Sequence, residues 1–340
     1  SHKVVLYGRS EHNHLNMRFA FVLLAVLGSS INFAFSKDAL NEPVSKHGQL
    51  SVSGNKLVNA NGEEVQLKGM SLAWSIWWPQ YYNEPTVEGV KNGCHSNVIR
   101  APLAIETNDG GYLTDPEGQK KLIVDVIEAA IKHDIYVIVD WHEEKAETHL
   151  EQAVDFFDQI SKTYGGYPNI IYETFNEPTT QSWSDVLKPY HEAVIKAIRA
   201  NDPDNIIIVG TPTWSQSVDQ AAADPITDYD NILYSLHFYA GTHTQWLRDT
   251  TKAALDKGIG IFVTEYGTTK ADATPPIALE ETKLWWSFMD ENNMSYVNYD
   301  ITDKESEAAS VLVPGTTAEN VCKEGYLTES GLLVVEQNKK

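Results

Sequence analysis

The sequence predicts an α/β fold: a (β/α)8 TIM barrel preceded by a short β-hairpin. Three observations lead there. Apolar, β-branched runs recur eight times between Val65 and Ile301. Amphipathic stretches at helical spacing separate most of them, and no Pro/Gly/Ser-rich linker breaks the rhythm. Near-continuous apolar strands alternating with helices are the mark of parallel strands covered on both faces. Eight such units close a barrel, and 340 residues suit one such domain.

The elements follow in order. Residues 1–36 read as a leader and signal peptide. Met17-Arg18 supplies a basic start, Phe19 to Gly28 a short apolar run, and Ala34-Phe35-Ser36 a small-residue cleavage signal. The apolar run is too short to span a bilayer, so a secreted, extracellular protein without a membrane partner is expected, with residues 37–340 as a single domain. Gln49 to Glu64 alternates around Gly54-Asn55 and Asn61-Gly62 and reads as a hairpin. The eight strands are expected at Val65–Leu72, Asn97–Ala104, Tyr136–Trp141, Ile170–Phe175, Ile206–Thr211, Ile232–Phe238, Ile261–Thr264 and Tyr296–Ile301. Helices are expected over Gln119–His133, Glu151–Tyr164, Trp183–Ala200, Asp249–Lys257 and Ala278–Asn292.

With 42% hydrophobic residues the chain can bury a large core. Its formal net charge of −21 argues against a nucleic-acid partner and suits a soluble protein that meets a neutral substrate. Export permits disulfides, but spacing alone leaves open whether Cys94 and Cys322 pair. A monomer is expected.

Active sites of such barrels sit at the carboxyl ends of the strands. Read in order, those ends carry Trp74 to Trp78, Arg100, Trp141-His142, Asn176-Glu177, Thr213-Trp214, His237 to Tyr239, Glu265-Tyr266 and Asn298-Tyr299. Two carboxyls facing each other across a pocket are the minimum equipment for cleaving a glycosidic bond. Glu177 is the candidate proton donor and Glu265 the candidate nucleophile. Arg100 and Tyr239 are placed to hydrogen-bond Glu265 and keep it ionised. Asn176 is placed to hold a sugar hydroxyl, and His142 and His237 to donate to hydroxyls or tune the carboxyls. Burial and the charge on Glu265 should raise the pKa of Glu177 and keep its proton in place. Trp74, Trp77, Trp78, Trp214 and Tyr299 are candidate stacking faces for pyranose rings, with core packing as the competing use of such side chains.

The remaining polar residues near these ends have plainer readings. His149 and His243 are expected at the surface. Glu143, Glu144 and Glu147 are expected as solvated charges or as charges at a helix N-terminus. Together with His142 they lack the ligand pattern of a metal centre, so no metal is expected.

Several segments resemble glycoside hydrolase family 5, and within it the secreted endo-β-1,4-glucanases. They are Lys68-Gly69-Met70-Ser71-Leu72, Asn97-Val98-Ile99-Arg100, Val139-Asp140-Trp141-His142, Thr174-Phe175-Asn176-Glu177-Pro178, Gly210-Thr211-Pro212-Thr213-Trp214, His237-Phe238-Tyr239 and Val263-Thr264-Glu265-Tyr266-Gly267. The resemblance runs from about Gly48 to Val335. It implies a (β/α)8 barrel, a retaining double displacement without a cofactor, and a cellulose or β-glucan polysaccharide as substrate. It also implies Glu177 as proton donor and Glu265 as nucleophile, with Arg100, His142, Asn176, His237 and Tyr239 around them. Two positions depart from the family pattern. Tyr299 stands where members usually carry Trp, and Glu144 where many carry a second His. Neither touches the two carboxyls; both bear on substrate preference. The alternatives are a mannanase, xyloglucanase or mixed-linkage glucanase on the same fold, transglycosylation, or a carbohydrate-binding protein that has lost catalysis.

Overall fold

Two short strands, β1 (Ser51–Ser53) and β2 (Lys56–Val58), pair antiparallel as the predicted hairpin. Eight parallel strands then close on themselves: β3 (Lys68–Leu72), β4 (Val98–Ala104), β5 (Tyr136–His142), β6 (Ile170–Glu173), β7 (Ile207–Val209), β8 (Ile232–Tyr239), β9 (Ile261–Gly267) and β10 (Tyr296–Ile301), with β10 bonded back to β3. The computed structural model describes residues 42–106 and 110–340. The expected leader and its cleavage site at Ser36 lie outside the described residues.

Alternation along the strands sorts side chains into two apolar clusters. One face of each strand meets the surrounding helices: Ile99, Leu103, Val137, Val139, Trp141 and Val263 belong to the cluster between barrel and helices. The other face points inward, where Val98, Tyr136, Ile138, Ile171, Leu233, Phe262 and Val297 fill the lower barrel together with Leu57. Both faces are buried, and that is why the strands read as continuous apolar runs and not as alternating ones. The hairpin closes the amino-terminal end. Its segment is tied there by Tyr136 Oη to the Gly48 carbonyl at 2.7 Å, Gln49 Nε2 to Asn205 Oδ1 at 2.8 Å and the Val52 N–H to Asn231 Oδ1 at 2.9 Å.

The predicted helices are present at Pro116–Lys132, Leu150–Tyr164, Lys188–Arg199, Gln245–Asp256 and Leu279–Glu291. The expected single helix from Trp183 begins instead as a π-helical turn, Trp183–Leu187, before Lys188. Helices at Glu84–Asn92 and Glu329–Asn338 were not legible from periodicity. Glu84–Asn92 holds Pro85 and Gly89 with only Val87 and Val90 as apolar residues, and Glu329–Asn338 gathers its apolar residues in the single run from Leu332 to Val335, so neither shows a helical repeat. Both are capped, by Asn83 Oδ1 on the Thr86 N–H and by Thr328 Oγ1 on the Gly331 N–H. Cys94 and Cys322 form a disulfide, which resolves the question the spacing left open.

Candidate active site

Above the apolar plug the barrel interior turns polar. Arg100 on β4 is fully buried, and its guanidinium meets Asp140 Oδ2 at 2.9 Å, Glu173 Oε2 at 2.7 Å and Glu265 Oε2 at 3.1 Å. Its Nη2 also donates to Asn176 Oδ1 at 2.7 Å. A buried cation is tolerated only when paired and fully hydrogen-bonded, and all three guanidinium nitrogens are used here. Arg100 therefore joins β5, β6, β9 and the segment after β6 into one floor.

Glu265 and Glu177 stand over that floor. Glu265 Oε1 accepts from Tyr239 Oη at 2.6 Å while Oε2 accepts from Arg100. Glu177 Oε1 accepts from His237 Nδ1 at 2.8 Å. His237 Nε2 in turn donates to Thr264 Oγ1 at 2.9 Å, and Thr264 Oγ1 donates to Glu173 Oε1 at 2.6 Å. A carboxylate oxygen of Glu177, one of Glu265 and a ring nitrogen of His237 all lie within 4.8 Å of one another. That trio has the donor types of a metal site, but hydrogen bonds to Glu177 and Thr264 engage both His237 nitrogens.

A break in strand register makes this arrangement possible. Ser235 on β8 pairs with Phe262 on β9, but His237 pairs with Glu265, so β9 carries one extra residue. Strict alternation would turn Glu265 outward once Thr264 points in. The bulge lets both adjacent side chains face the barrel interior, a common use of such irregularities beside active sites. Thr264 bonds Glu173 and His237 while Glu265 bonds Arg100 and Tyr239.

Electrostatics push the two carboxyls apart. Burial and the neighbouring charge of Glu265 raise the pKa of Glu177 against the opposing pull of His237. Burial alone would raise Glu265 too, but His237, Arg100, His142 and the Tyr239 hydrogen bond outweigh it and hold Glu265 below the ordinary glutamate value. His237 rises to about 9, because Glu265, Glu173 and Glu177 overcome its desolvation. Glu173 falls to about 2, burial being outweighed by Arg100 and His237. Tyr239 is raised well above its usual value by burial and by Glu265, so it stays a donor.

The other predicted residues converge on the same place. His142 Nδ1 donates to Asp140 Oδ2 at 2.7 Å, and its Nε2 faces Asn176 Nδ2 at 3.4 Å. Tyr299 lies nearly parallel to the His142 ring, with centroids 6.4 Å apart and planes inclined by 7°. Trp74 stacks on the exposed Trp77 at 4.8 Å. Trp74, Trp77, Trp78 and Tyr299 line one depression, and Trp214, Gln216, Glu144 and Glu177 line a second. Tyr239 borders both. Half-exposed Trp77 and Trp214 present their rings to solvent, whereas Trp78 is half-buried beside Tyr81.

Three expectations are corrected. Glu143 is buried, accepting from Trp141 Nε1 at 3.0 Å and pairing with His149, which is half-buried. With Glu106 these two form a second group of close ligand atoms. His243 is buried as well, its Nδ1 accepting from the Tyr239 N–H at 2.8 Å. Sequence reading also passed over Asp140, Glu173 and Thr264 as parts of the site. Their signal was a charge or hydroxyl inside an otherwise apolar strand.

The cellulase (glycosyl hydrolase family 5) model matches residues 58–305. Endoglucanase Z of Dickeya dadantii (strain 3937) is 46% identical over 285 residues, which are 83% of this chain and 64% of that protein. The chain thus spans less than two thirds of that relative's length. A solved structure from Cytophaga hutchinsonii superposes with a TM-score of 0.85 at 46% identity, covering 87% of this chain and 96% of that one. The catalytic domain of a Thermobifida fusca endoglucanase, solved in complex with cellotetraose, gives a TM-score of 0.82 at 29% identity over 88% of this chain and all of that one. With more than two thirds of its length inside the family match and its strand-end carboxyls assembled as described, the chain belongs to glycosyl hydrolase family 5.

Proposed function

We propose that this protein hydrolyses internal β-1,4-glucosidic bonds of cellulose or related β-glucans with retention at the anomeric carbon. The observation that carries the reading is the approach of a Glu177 oxygen to a Glu265 oxygen within 4.8 Å. Retaining glycosidases hold their carboxyls about 5–5.5 Å apart, whereas inverting ones need about 6.5–9.5 Å to admit a water.

In the first step Glu265, ionised and aimed by Arg100 and Tyr239, attacks the anomeric carbon. Glu177 transfers its proton to the departing glycosidic oxygen as that bond breaks. In the second step Glu177, now a carboxylate, takes a proton from water. The water oxygen bonds to the anomeric carbon, and Glu265 leaves. Because Glu177 must reach the leaving oxygen, the depression it lines beside Trp214 takes the leaving-group sugars. The Trp74, Trp77 and Tyr299 side takes the glycone. Asn176 holds a hydroxyl of the sugar being attacked, its Oδ1 fixed by Arg100 and its Nδ2, which also faces His142 Nε2, having a second N–H to donate. An extracellular workplace is part of the proposal, and the Cys94–Cys322 disulfide supports an oxidising compartment.

Glu265→Ala tests the assignment. Turnover of cellopentaose should fall by about 10⁴-fold or more, in line with loss of a covalent nucleophile. Added azide should restore turnover and yield the α-glycosyl azide. Activity of Glu265→Ala near that of the wild type would refute the assignment.

A further inference from the structure

We propose that Glu144 makes the leaving-group side of the cleft a charge-reading subsite, favouring β-1,4-linked chains that carry amino groups over chains that carry carboxyl groups. This rests on the hydrolase reading above and adds the substrate class. Glu144 is exposed and lines the same depression as Glu177 and Trp214. No lysine or arginine is among the described residues lining it. On the opposite side Lys304 is the one such cation among the described lining residues, and it is paired with Glu307. The one cationic side chain among the described lining residues, His237, is already bonded to Glu177 and Thr264, so a sugar bound beside Trp214 meets the Glu144 carboxylate with no free side-chain cation in that lining to offset it.

The backbone holding that carboxylate is fixed to the catalytic segment. Gln181 Nε2 donates to the Glu144 carbonyl at 2.9 Å and to both Glu147 carboxylate oxygens at 2.9 and 3.0 Å. Gln181 Oε1 accepts from the Thr179 N–H at 2.6 Å, and the Glu177 N–H donates to the Glu143 carbonyl at 3.2 Å. Trp214 is bound to the same segment, its N–H donating to the Pro178 carbonyl at 2.8 Å and that of Thr213 to the Thr179 carbonyl at 2.9 Å. Thr213, Trp214 and Ser215 all take left-handed backbone conformations, with φ of 62°, 52° and 55°. Side chains other than glycine rarely adopt that conformation, so the turn must be held by its surroundings. Bonds such as Ser215 Oγ to the Asn176 carbonyl at 2.9 Å hold that turn in place. Glu144, Glu177 and Trp214 thus share one bonded frame, and a sugar stacked on the indole sits at a set place relative to the carboxylate. In water, a unit charge about 6 Å from another changes binding by roughly threefold, and salt screens it over about 8 Å.

The test uses soluble polymers of one backbone: neutral hydroxyethylcellulose, its trimethylammonium derivative and carboxymethylcellulose. Relative kcat/KM is measured at low and high salt for the wild type, Glu144→Gln and the control Glu324→Gln. Glu324 is exposed beside the Cys94–Cys322 bridge, away from the cleft. The cationic-to-anionic preference at low salt should drop by about three- to tenfold in Glu144→Gln. High salt should shrink the wild-type preference, and Glu324→Gln should match the wild type throughout. An unchanged preference in Glu144→Gln, or an equal loss in Glu324→Gln, would overturn the proposal. If the wild type cleaved none of the three polymers, the hydrolase reading itself would fail.

Discussion

Arg100 illustrates how one residue sets both stability and chemistry. It is wholly buried and touches three carboxylates. Replacing it with methionine leaves those charges without their cation, and removing one partner of a buried ion pair typically costs about 3–5 kcal/mol. Arg100→Met should therefore unfold at markedly lower urea, and the remaining folded enzyme should need a higher pH to ionise Glu265. The same network fixes how stability depends on pH. Glu173 is depressed to about 2, so its contribution is complete above the ordinary glutamate value near 4.5 and fades as pH falls through that range toward 2. His237 is raised to about 9, so its contribution is complete below the ordinary histidine value of 6.5 and is lost as pH rises through 9. Denaturation midpoints should peak between these limits, and Glu173→Gln should flatten the acid side. A midpoint independent of pH from 3 to 10 would contradict this balance. The end-of-strand residues Arg100, Glu177, His237, Tyr239 and Glu265 were legible because polar groups gather there against the apolar trend. Glu143 and His243 were misread although the Trp141 indole and the Tyr239 amide that bond them lie only two and four residues away, because whether a residue just past a strand is buried depends on how the turn folds back, which residue order does not encode.

Among elements, β9 shows where pattern reading stops. A continuous apolar run predicts the strand, but Thr264 and Glu265 both face inward through a bulge that depends on pairing with β8. The sequence also led to a strand ending at Thr264, whereas β9 continues to Gly267. Gly267 matters for a steric reason: a Cβ there would lie 2.3 Å from Tyr239 Cδ1. The phenol must move away, and its 2.6 Å bond to Glu265 is then lost. Gly267→Ala should thus lower kcat by about tenfold or more, as misplacement of a catalytic contact does. Combined with Tyr239→Phe it should be no worse than the more damaging single change, because both remove the same bond. Additive losses in that double variant would place the effect of Gly267 elsewhere.

Across the whole molecule, the barrel was legible because eight apolar runs can be counted. The link between its distant parts was not. Cys94 follows the helix Glu84–Asn92 and Cys322 precedes the helix Glu329–Asn338, 228 residues apart in sequence. No local pattern encodes such a contact, since it exists only once the barrel has closed. A bond closing so long a loop restricts the unfolded chain, and its loss typically costs about 2–5 kcal/mol. Cys94→Ser/Cys322→Ser should lower the denaturation midpoint accordingly while the products of hydrolysis stay the same. The fold as a whole exists, on this account, to bring Glu177 and Glu265 to one glycosidic bond at the spacing of a double displacement. Proton NMR of cellopentaose hydrolysis, followed from the first minutes, tests that claim most directly. The β-anomer of the new reducing end should appear first and relax to the α/β equilibrium by mutarotation; initial release of the α-anomer would contradict it.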